Sequence, residues 1–496
     1  MRFLASLVLG VTMACFAPAG NATEAFPLPL SVKDCVRRAL EENLEISIQR
    51  LNPLIDEEAV RTARGDFDPT LFFTPNYEEN TTPLDAQSSV AAGGRLATKS
   101  RTDSWAGGVQ GKVPLGTTYN FGLRTTDARN TFNTFREQYT TYWGLDLVQP
   151  LLRGFGPDSQ MATLRIARMS KSISDADFAQ RVMDVLTRVH DAYFNLVYAI
   201  ENRTVQIQAL ELAAKLLEDN RKRVRIGVMA PLEITQAESG VAGREESVIL
   251  ADQDVSQRMT ILRALISPNI SDLQERALAP TDRPGDAPPS AKTRAQYLTD
   301  ALDLRPDYRA AKLAVERQNI QLVYDQQQRW PQVDLKATAG FNGVDPKFME
   351  SIDTKNERWA VGLIVRVPLP DQAAAGRLEA SRLRKQQTIL QLKQAEQAVV
   401  VDVNNALDGV TASYKRIRAT RVARRAAEEA LSAETSKLRA GTTTSFVVLE
   451  LQNKLAEARS REIRALADYS IAVAQLNQAV GTTLRMNDVE LVPAAR

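Results

Sequence analysis

The longest periodic pattern in the chain lies in residues 377–439. No proline interrupts it, so it predicts one continuous helix of roughly 90–95 Å. A counterpart of similar length occupies residues 159–226. Helices this long are typical of a rod or a tunnel wall, because ordinary globular helices are much shorter. Apolar or small side chains recur at steps of three or four, as in a coiled-coil seam, at Ile389, Leu392, Ala395, Val399, Val403, Ala406, Val410, Tyr414 and Ile417.

Strict alternation of apolar and polar side chains predicts β-strands in two other regions. The second region, residues 332–368, offers two strands. The first, at about residues 70–150, offers two to four, including a pair around the turn at 114–117. Each such strand has one apolar and one polar face.

Tryptophan positions and strand number bear on where these strands lie. Trp105, Trp143 and Trp359 start predicted strands, and Trp330 precedes one. Aromatic side chains at strand ends fit a membrane-interface girdle, although they also cap soluble sheets. Roughly four to six strands per chain are fewer than the eight or so of a closed outer-membrane barrel. Because an open sheet edge cannot face lipid, several chains must share one barrel if the strands are in a membrane.

Two pairs of segments repeat along the chain without gaps. Residues 39–69 match 301–331, and residues 227–266 match 441–480. The spacing is far longer than the roughly 20–50 residues of a solenoid repeat. The chain is therefore expected to contain two equivalent halves that pack side by side.

This duplication, together with local composition, divides the chain. The N-terminus carries Arg2, an apolar stretch and then small residues, which is the pattern of a secretory signal. A Pro/Gly-rich stretch between the halves predicts a linker with little regular structure. The predicted parts are a signal peptide (1–22), a first repeat (23–266), the linker (267–292), a second repeat (293–485) and a C-terminal tail (486–496).

Charge and cysteine content exclude several classes of protein. The formal net charge is only +2, which argues against nucleic acid as a partner, since that needs a basic face. Cys35 is the single cysteine after the signal, so no internal disulfide is possible. Cys15 raises a lipoprotein alternative, but the preceding residues lack the usual aliphatic position. No apolar run after the signal reaches the roughly 18 residues of a transmembrane helix.

Nothing in the sequence predicts an enzyme or a cofactor site. His190 is the only histidine, with Asp191 beside it. Adjacent helical residues diverge, so this pair cannot form a catalytic triad or a metal-ligand set. An ordinary helix histidine is the simpler interpretation.

Several segments resemble the TolC-type outer-membrane efflux protein family, over essentially the whole mature chain. No single motif is specific for the family, but the duplicated set of motifs, in this order and spacing, is specific for it. The segments are LSVKDCVRRALEEN at 30–43, QPLLRGFG at 149–156, AYFNL at 192–196, the turn region 225–238, VPLP at 367–370 and the turn region 439–451.

The resemblance implies a mainly α fold with a membrane β-barrel. In the family, a homotrimer shares one barrel, 12-stranded in typical members, within outer-membrane lipid, and long helical hairpins form a periplasmic tunnel. The implied function is the exit duct of a tripartite efflux or type I secretion system, working with a periplasmic adaptor and an inner-membrane transporter. The alternative is a periplasmic coiled-coil scaffold or adaptor without a pore.

The resemblance also places the working residues at two helical turns, the expected periplasmic tips. A glycine ends one helix of each turn, and Pro231 or a run of hydroxyl residues able to cap the next helix follows. The simplest interpretation of these turns is that they end one helix and start the next. The resemblance implies in addition that they dock the adaptor. The candidate docking residues are Gly227, Val228, Met229, Ala230, Pro231, Gly441, Thr442, Thr443, Thr444 and Ser445.

Just inside the tips, the family commonly has acidic residues whose threefold ring narrows the pore. Six residues after the glycine stands Glu233 in the first half, but Val447 in the second. Nine residues after it, the second half has Glu450. Glu233 and Glu450 are therefore the candidates for an acidic constriction, with solvated helix carboxylates as the alternative.

Overall fold

The computed structural model describes most of the chain. The predicted signal peptide and Cys15 lie outside the described residues, as do parts of the predicted linker and tail. The described ranges are 28–131, 133–269, 277–290, 292–353 and 356–490.

Helices and strands follow one another along these ranges. The first region contains β1 (Leu28–Leu30), α1 (Val32–Glu42), α2 (Leu44–Gly65), β2 (Thr70–Pro83), α3 (Ala86–Ala91), β3 (Ala97–Lys112), β4 (Thr118–Asn130), β5 (Tyr139–Pro150), α4 (Pro157–Gln160), α5 (Ala162–Arg225) and α6 (Leu232–Ile266). The remainder contains β6 (Leu278–Pro280), α7 (Arg294–Leu304), α8 (Pro306–Gln327), β7 (Gln332–Asp345), α9 (Phe348–Ile352), β8 (Asn356–Arg366), α10 (Gln372–Arg439), α11 (Ser445–Val480) and α12 (Thr483–Met486).

The two long helices predicted from the seam are present. Helix α5 has 64 residues and α10 has 68. The α10 seam is buried at Val399, Val403 and Val410, whereas Ile389 near its start is exposed. Among the described helices, none combines the length and the apolar character that crossing a membrane requires.

The chain divides into two compact units, each built from three segments. The first unit comprises Met1–Asn43, Val189–Asp286 and Arg416–Ser470. Within it, β1 pairs in parallel with β6. The linker was expected to have little regular structure, and Leu278–Pro280 is a strand of three residues within it.

A buried tyrosine fixes that strand pair. The Tyr193 hydroxyl donates to the carbonyl oxygen of Leu30 (3.0 Å) and accepts from the backbone N–H groups of Thr281 (3.1 Å) and Asp282 (3.0 Å). The side chain is fully buried. The hydroxyl therefore contacts three backbone groups at the end of the strand pair, where the Thr281 N–H also donates to the carbonyl oxygen of Leu30 (3.1 Å).

The second unit comprises Leu44–Arg188, Ala287–Lys415 and Ile471–Arg496. Its described strands form one six-stranded antiparallel sheet in the order β2–β3–β4–β5–β7–β8. Two to four strands were predicted at about residues 70–150, and the structure has four there, β2 to β5. The prediction that Trp105 starts a strand is wrong, because β3 begins at Ala97. Trp143 and Trp359 also lie a few residues inside β5 and β8.

One face of the sheet is apolar and largely open, with α9 packed on one end of it through Phe348. Directly paired residues share a face, and the pairing extends in register across all six strands. Leu71 and Trp359, at opposite ends of one such row, are 80% and 78% exposed. The row consists of Leu71, Val109, Phe121, Leu145, Ala339 and Trp359.

The opposite face is polar and carries a row of glycines. Gly108, Gly122, Gly144 and Gly340 stand directly beside one another on four neighbouring strands. A Cβ on Gly122 would lie 2.7 Å from the carbonyl oxygen of Gly107, and one on Gly340 would overlap backbone of β5. Because the crowding is on the polar side, we infer that the sheet bends towards that side.

Candidate functional site

The two predicted tips are helical turns with the same construction. Gly227 and Gly441 both adopt positive φ angles, of 78° and 76°. In each turn the next residue closes the helix: Val228 N–H donates to Arg223 O (3.0 Å), and Thr442 N–H donates to Lys437 O (3.0 Å). This is the hydrogen-bonding of a glycine C-terminal cap, which a residue with a Cβ adopts only with strain.

The two tips are joined to each other within the first unit. The last turns of α5 and α10 are basic, which favours their C-terminal dipoles. Arg223 of α5 also donates to the carbonyl oxygen of Leu438 in α10 (2.9 Å). The same carbonyl oxygen also accepts from the N–H of Gly441 (3.2 Å), so the arginine adds a link between the two tips.

A small apolar cluster lies directly behind the turns, and Met229 packs against it. Its side chain is half-buried, so Met229 supports the tip, whereas neighbouring Val228 is exposed. A Cβ added to Gly240 of α6 would lie only 2.9 Å from Leu449 of α11, so these two helices approach closely. The buried members of the cluster are Ala213, Leu216, Leu438, Val448 and Leu449.

Glu233 links the first tip to the second. Its carboxylate accepts a hydrogen bond from the hydroxyl of Ser445, which is completely buried. Asn220 of α5 donates to the backbone carbonyl oxygen of Glu233 (3.2 Å). The carboxylate is therefore held in place by the start of α11, and is not a freely solvated helix residue.

Glu450 has a different environment. It is exposed on α11 and forms an ion pair with Lys454, one turn later (2.6 Å). The structure thus brings Glu233 to Ser445, and Glu450 to Lys454. In the described residues of one chain, it gives the two candidate acids different partners.

The hydroxyl groups of the second tip do less capping than expected. The Thr442 hydroxyl donates backwards to Lys437 O (3.2 Å), and Ser445 donates to Glu233. A hydrogen bond from Thr443, and then one from Lys437, lower the pKa of Glu434. Three of the four hydroxyls therefore hold the turn to the preceding helix or to the other tip.

Three exposed apolar residues at the tips were not singled out from the sequence. Ile226 and Leu232 flank the first turn, and Phe446 follows the second. The sequence does show apolar residues close to the two glycines, at positions outside the apolar seams of the helices. With Val228, they give the tips an apolar surface of the kind that binds a partner.

The chain was compared with known proteins. It matches the sequence model of a family described as "Outer membrane efflux protein" over residues 114–267 and 297–482. It is 25% identical over 340 residues to outer membrane protein TolC of Vibrio cholerae, covering 65% of this chain and 74% of the relative. It is 22% identical over 377 residues to the proteases secretion protein PrtF of Dickeya chrysanthemi, covering 73% and 79%.

A solved structure gives the same architecture. The chain superposes on the outer-membrane channel OprN with a TM-score of 0.70. The match covers 91% of this chain and 90% of OprN, at 16% sequence identity. At that identity the likeness establishes the fold.

Proposed function

This chain belongs to the outer membrane efflux protein family, and we propose on that premise that it works as a homotrimer whose three sheets close one β-barrel. As a member, it is an outer-membrane exit duct for efflux or type I secretion, with a periplasmic part. Channels of this kind work with an adaptor and an inner-membrane transporter. The family is one of transport proteins rather than enzymes.

The observation that carries the trimer proposal is the exposed apolar face of the six-stranded sheet. Leu71, Phe73, Trp359 and Val361 all point into solvent on that face, each more than half exposed. Contiguous apolar surface of this kind needs a cover. Outer-membrane lipid is a cover that also suits Trp359, which lies near the start of β8.

The sheet edges explain why one chain is insufficient. Strands β2 and β8 each have a free edge, and lipid cannot satisfy edge N–H and C=O groups. Neighbouring strands are antiparallel throughout, and six is an even number, so β8 and β2 run in opposite directions. The β8 of one copy can therefore pair with the β2 of the next in an antiparallel ladder. Three copies would give a barrel of about 18 strands.

We further propose that the long helices form the periplasmic tunnel and that the two tips dock the adaptor. The predicted tip residues flank the apolar side chains Ile226, Val228, Leu232 and Phe446, which give a docking partner something to bury. Exposed turns on a rigid scaffold are where partners commonly bind. The cargo is then whatever the inner-membrane transporter delivers.

The constriction of this tunnel is proposed to be acidic. Three copies of Glu233 and Glu450 would place carboxylates around the entrance, where they attract cations. Glu233 is the stronger candidate, because Ser445 holds its carboxylate in one position. Lys454 partly neutralises Glu450. Val447, which stands at the position equivalent to Glu233, carries no charge, so the two tips contribute unequally to the charge of the constriction.

Purified protein in detergent tests the proposal. We expect a mass of three chains and cation-selective conductance in a planar bilayer. Glu233→Gln should lower the preference for cations more than Glu450→Gln does. Glu238→Gln is the matched control, because Glu238 lies on the same helix and its charge is paired with Arg221 (2.7 Å).

A monomer that needs no detergent and gives no conductance would refute the channel and favour the scaffold alternative. A conducting trimer whose selectivity is the same in all four proteins would retain the channel. It would remove both acids from the constriction.

A further inference from the structure

The polar face of the sheet carries two arginines around one tyrosine. Arg124 of β4 stands directly opposite Tyr142 of β5. The guanidinium carbon of Arg358, on β8, lies 5.2 Å from the centre of the Tyr142 ring. We name these three residues the Arg124–Tyr142–Arg358 cluster.

The glycine row fixes the tyrosine of this cluster. A Cβ on Gly144 would lie 2.6 Å from the Tyr142 hydroxyl oxygen, and one on Gly340 would lie 2.8 Å from its ring. The ring therefore rests on bare backbone, where any side chain would displace it. Arg358 lies near the same ring, so the aromatic group positions this guanidinium.

Both guanidinium groups lack an acidic partner. In the part of the chain that the structure describes, neither Arg124 nor Arg358 forms an ion pair, and both are exposed. The arginines on the opposite face differ. Arg101 pairs with Glu79 (3.2 Å), and Arg129 pairs with Asp127 (2.6 Å).

The nearest acid on the polar face does not neutralise the cluster. Asp146 lies two residues along β5 from the glycine row, and its carboxylate accepts a hydrogen bond from Thr338 (2.7 Å). Thr338 pairs with Ala360, two residues from Arg358 on β8. Among the described residues Asp146 forms no ion pair with either arginine, and the positive charge is left for a solute.

We propose that the Arg124–Tyr142–Arg358 cluster binds oxyanions, meaning solutes that carry carboxylate or phosphate groups. A guanidinium group matches the two oxygens of such an anion with two parallel N–H donors. This inference rests on the proposed function. If the polar, concave face lines the lumen, three copies place six guanidinium groups around one passage. The cluster then offers a local binding site to oxyanions that enter the barrel.

The test is a titration of the purified full-length protein in detergent with inorganic pyrophosphate, followed by phosphorus NMR at low salt. We expect binding by the unmodified protein, and an apparent affinity about tenfold weaker in the Arg124→Gln/Arg358→Gln double variant. Arg101→Gln/Arg129→Gln removes two paired arginines from the opposite face and should bind as the unmodified protein does.

A second titration with citrate separates the two sources of oxyanion. Arginine-dependent binding of both probes identifies the shared chemistry, whereas binding of pyrophosphate alone narrows the class to phosphates. An Arg358→Lys variant keeps the charge but loses the planar fork, so its affinity should be intermediate. Equal binding by all variants, or none by the unmodified protein, overturns the proposal.

This readout is independent of the proposed function, because binding is measured without current. A protein that binds pyrophosphate through the two arginines but never conducts would refute the channel and leave the cluster in place. A conducting protein without arginine-dependent binding would refute the cluster alone.

Discussion

Two buried polar side chains, Asn43 and Arg305, occupy matching places between short helices. Asn43 separates α1 from α2 and donates to Leu265 O of α6 (2.9 Å). Arg305 separates α7 from α8 and donates to Ala479 O of α11 (3.3 Å). Each thus ties the residue between two shorter helices to the end of a longer helix. The flanking helices have identical lengths, 11 and 22 residues in both places.

Arg305 differs from Asn43 in being charged, and the free-energy cost of burying its charge must be offset by acidic partners. It pairs with Asp307 (2.6 Å) and Asp402 (3.0 Å). Burial by itself raises the pKa of Asp307, but the hydrogen bond and charge of Arg305 outweigh it, so the pKa lies below its ordinary value. A carboxyl group with a lowered pKa stabilises the fold above its unfolded pKa and loses that contribution as the pH falls.

We therefore expect Arg305→Met to lower the free energy of unfolding by about 1–3 kcal/mol at neutral pH, a value that allows for the partial exposure of both aspartates. The loss should shrink below about pH 4, where the carboxylates become protonated. Urea unfolding followed by circular dichroism between pH 3 and pH 7 measures both effects. Arg309→Met, four residues later at an exposed position, is the control. A loss that does not depend on pH would show that packing, not charge, is what Arg305 supplies.

At the scale of elements, helices were more predictable than strands. The seam placed the long helices at 159–226 and 377–439, and they occur at Ala162–Arg225 and Gln372–Arg439. A persistent apolar period without proline is sufficient for this. Strand β3 begins eight residues before Trp105, in a run that is polar on both faces. The alternation of apolar and polar residues gives no signal there, because this part of β3 is a strand only through its pairing with β2 and β4.

The tips show the same limit of local reasoning. Gly227 and Gly441 were identifiable because a helix end requires a residue that tolerates positive φ. The hydrogen bond between Glu233 and Ser445 joins residues 212 positions apart, which no local pattern contains. Capping by the hydroxyls of the second tip was expected from proximity along the chain. Ser445 donates instead to Glu233 of the other tip, a contact that forms only in the folded unit.

The glycine row leads to a prediction at this scale. A Cβ on Gly340 would overlap the carbonyl oxygen of Trp143, whereas one on Gly362, in the same sheet, meets nothing within 4 Å. Gly340→Ala should therefore force β5 and β7 apart and cost roughly 1–3 kcal/mol by overpacking. Gly362→Ala should be tolerated.

The proportion of trimer that resists dissociation on mild heating in detergent is the measurement. We expect a lower dissociation temperature for Gly340→Ala, and an unchanged one for Gly362→Ala. Equal stability of the two variants would contradict the claim that close strand contact, rather than general sheet propensity, explains the glycine row.

At the scale of the whole molecule, the β3–β4 hairpin determines how large a closed barrel would be. Typical members of the family share 12 strands among three chains, and the sequence left open whether this hairpin joins the sheet. It does so in full register with β2 and β5. The hairpin is a pair of strands, so its removal leaves β2 and β5 antiparallel. A chain without it retains an even number of strands and can still close.

Deletion of residues 97–130 should thus give a working but narrower duct. Barrel diameter grows roughly linearly with strand number, so a change from about 18 to about 12 strands reduces it by about one third. The largest polyethylene glycol that enters from the extracellular side, measured by its effect on conductance, reports the lumen and not the periplasmic constriction. Deletion of α3 alone, Ala86–Ala91, shortens the neighbouring connection without removing a strand and should leave this size limit unchanged. If both deletions give the limit of the intact chain, the hairpin lies outside the barrel wall, and its in-register pairing serves stability rather than pore width.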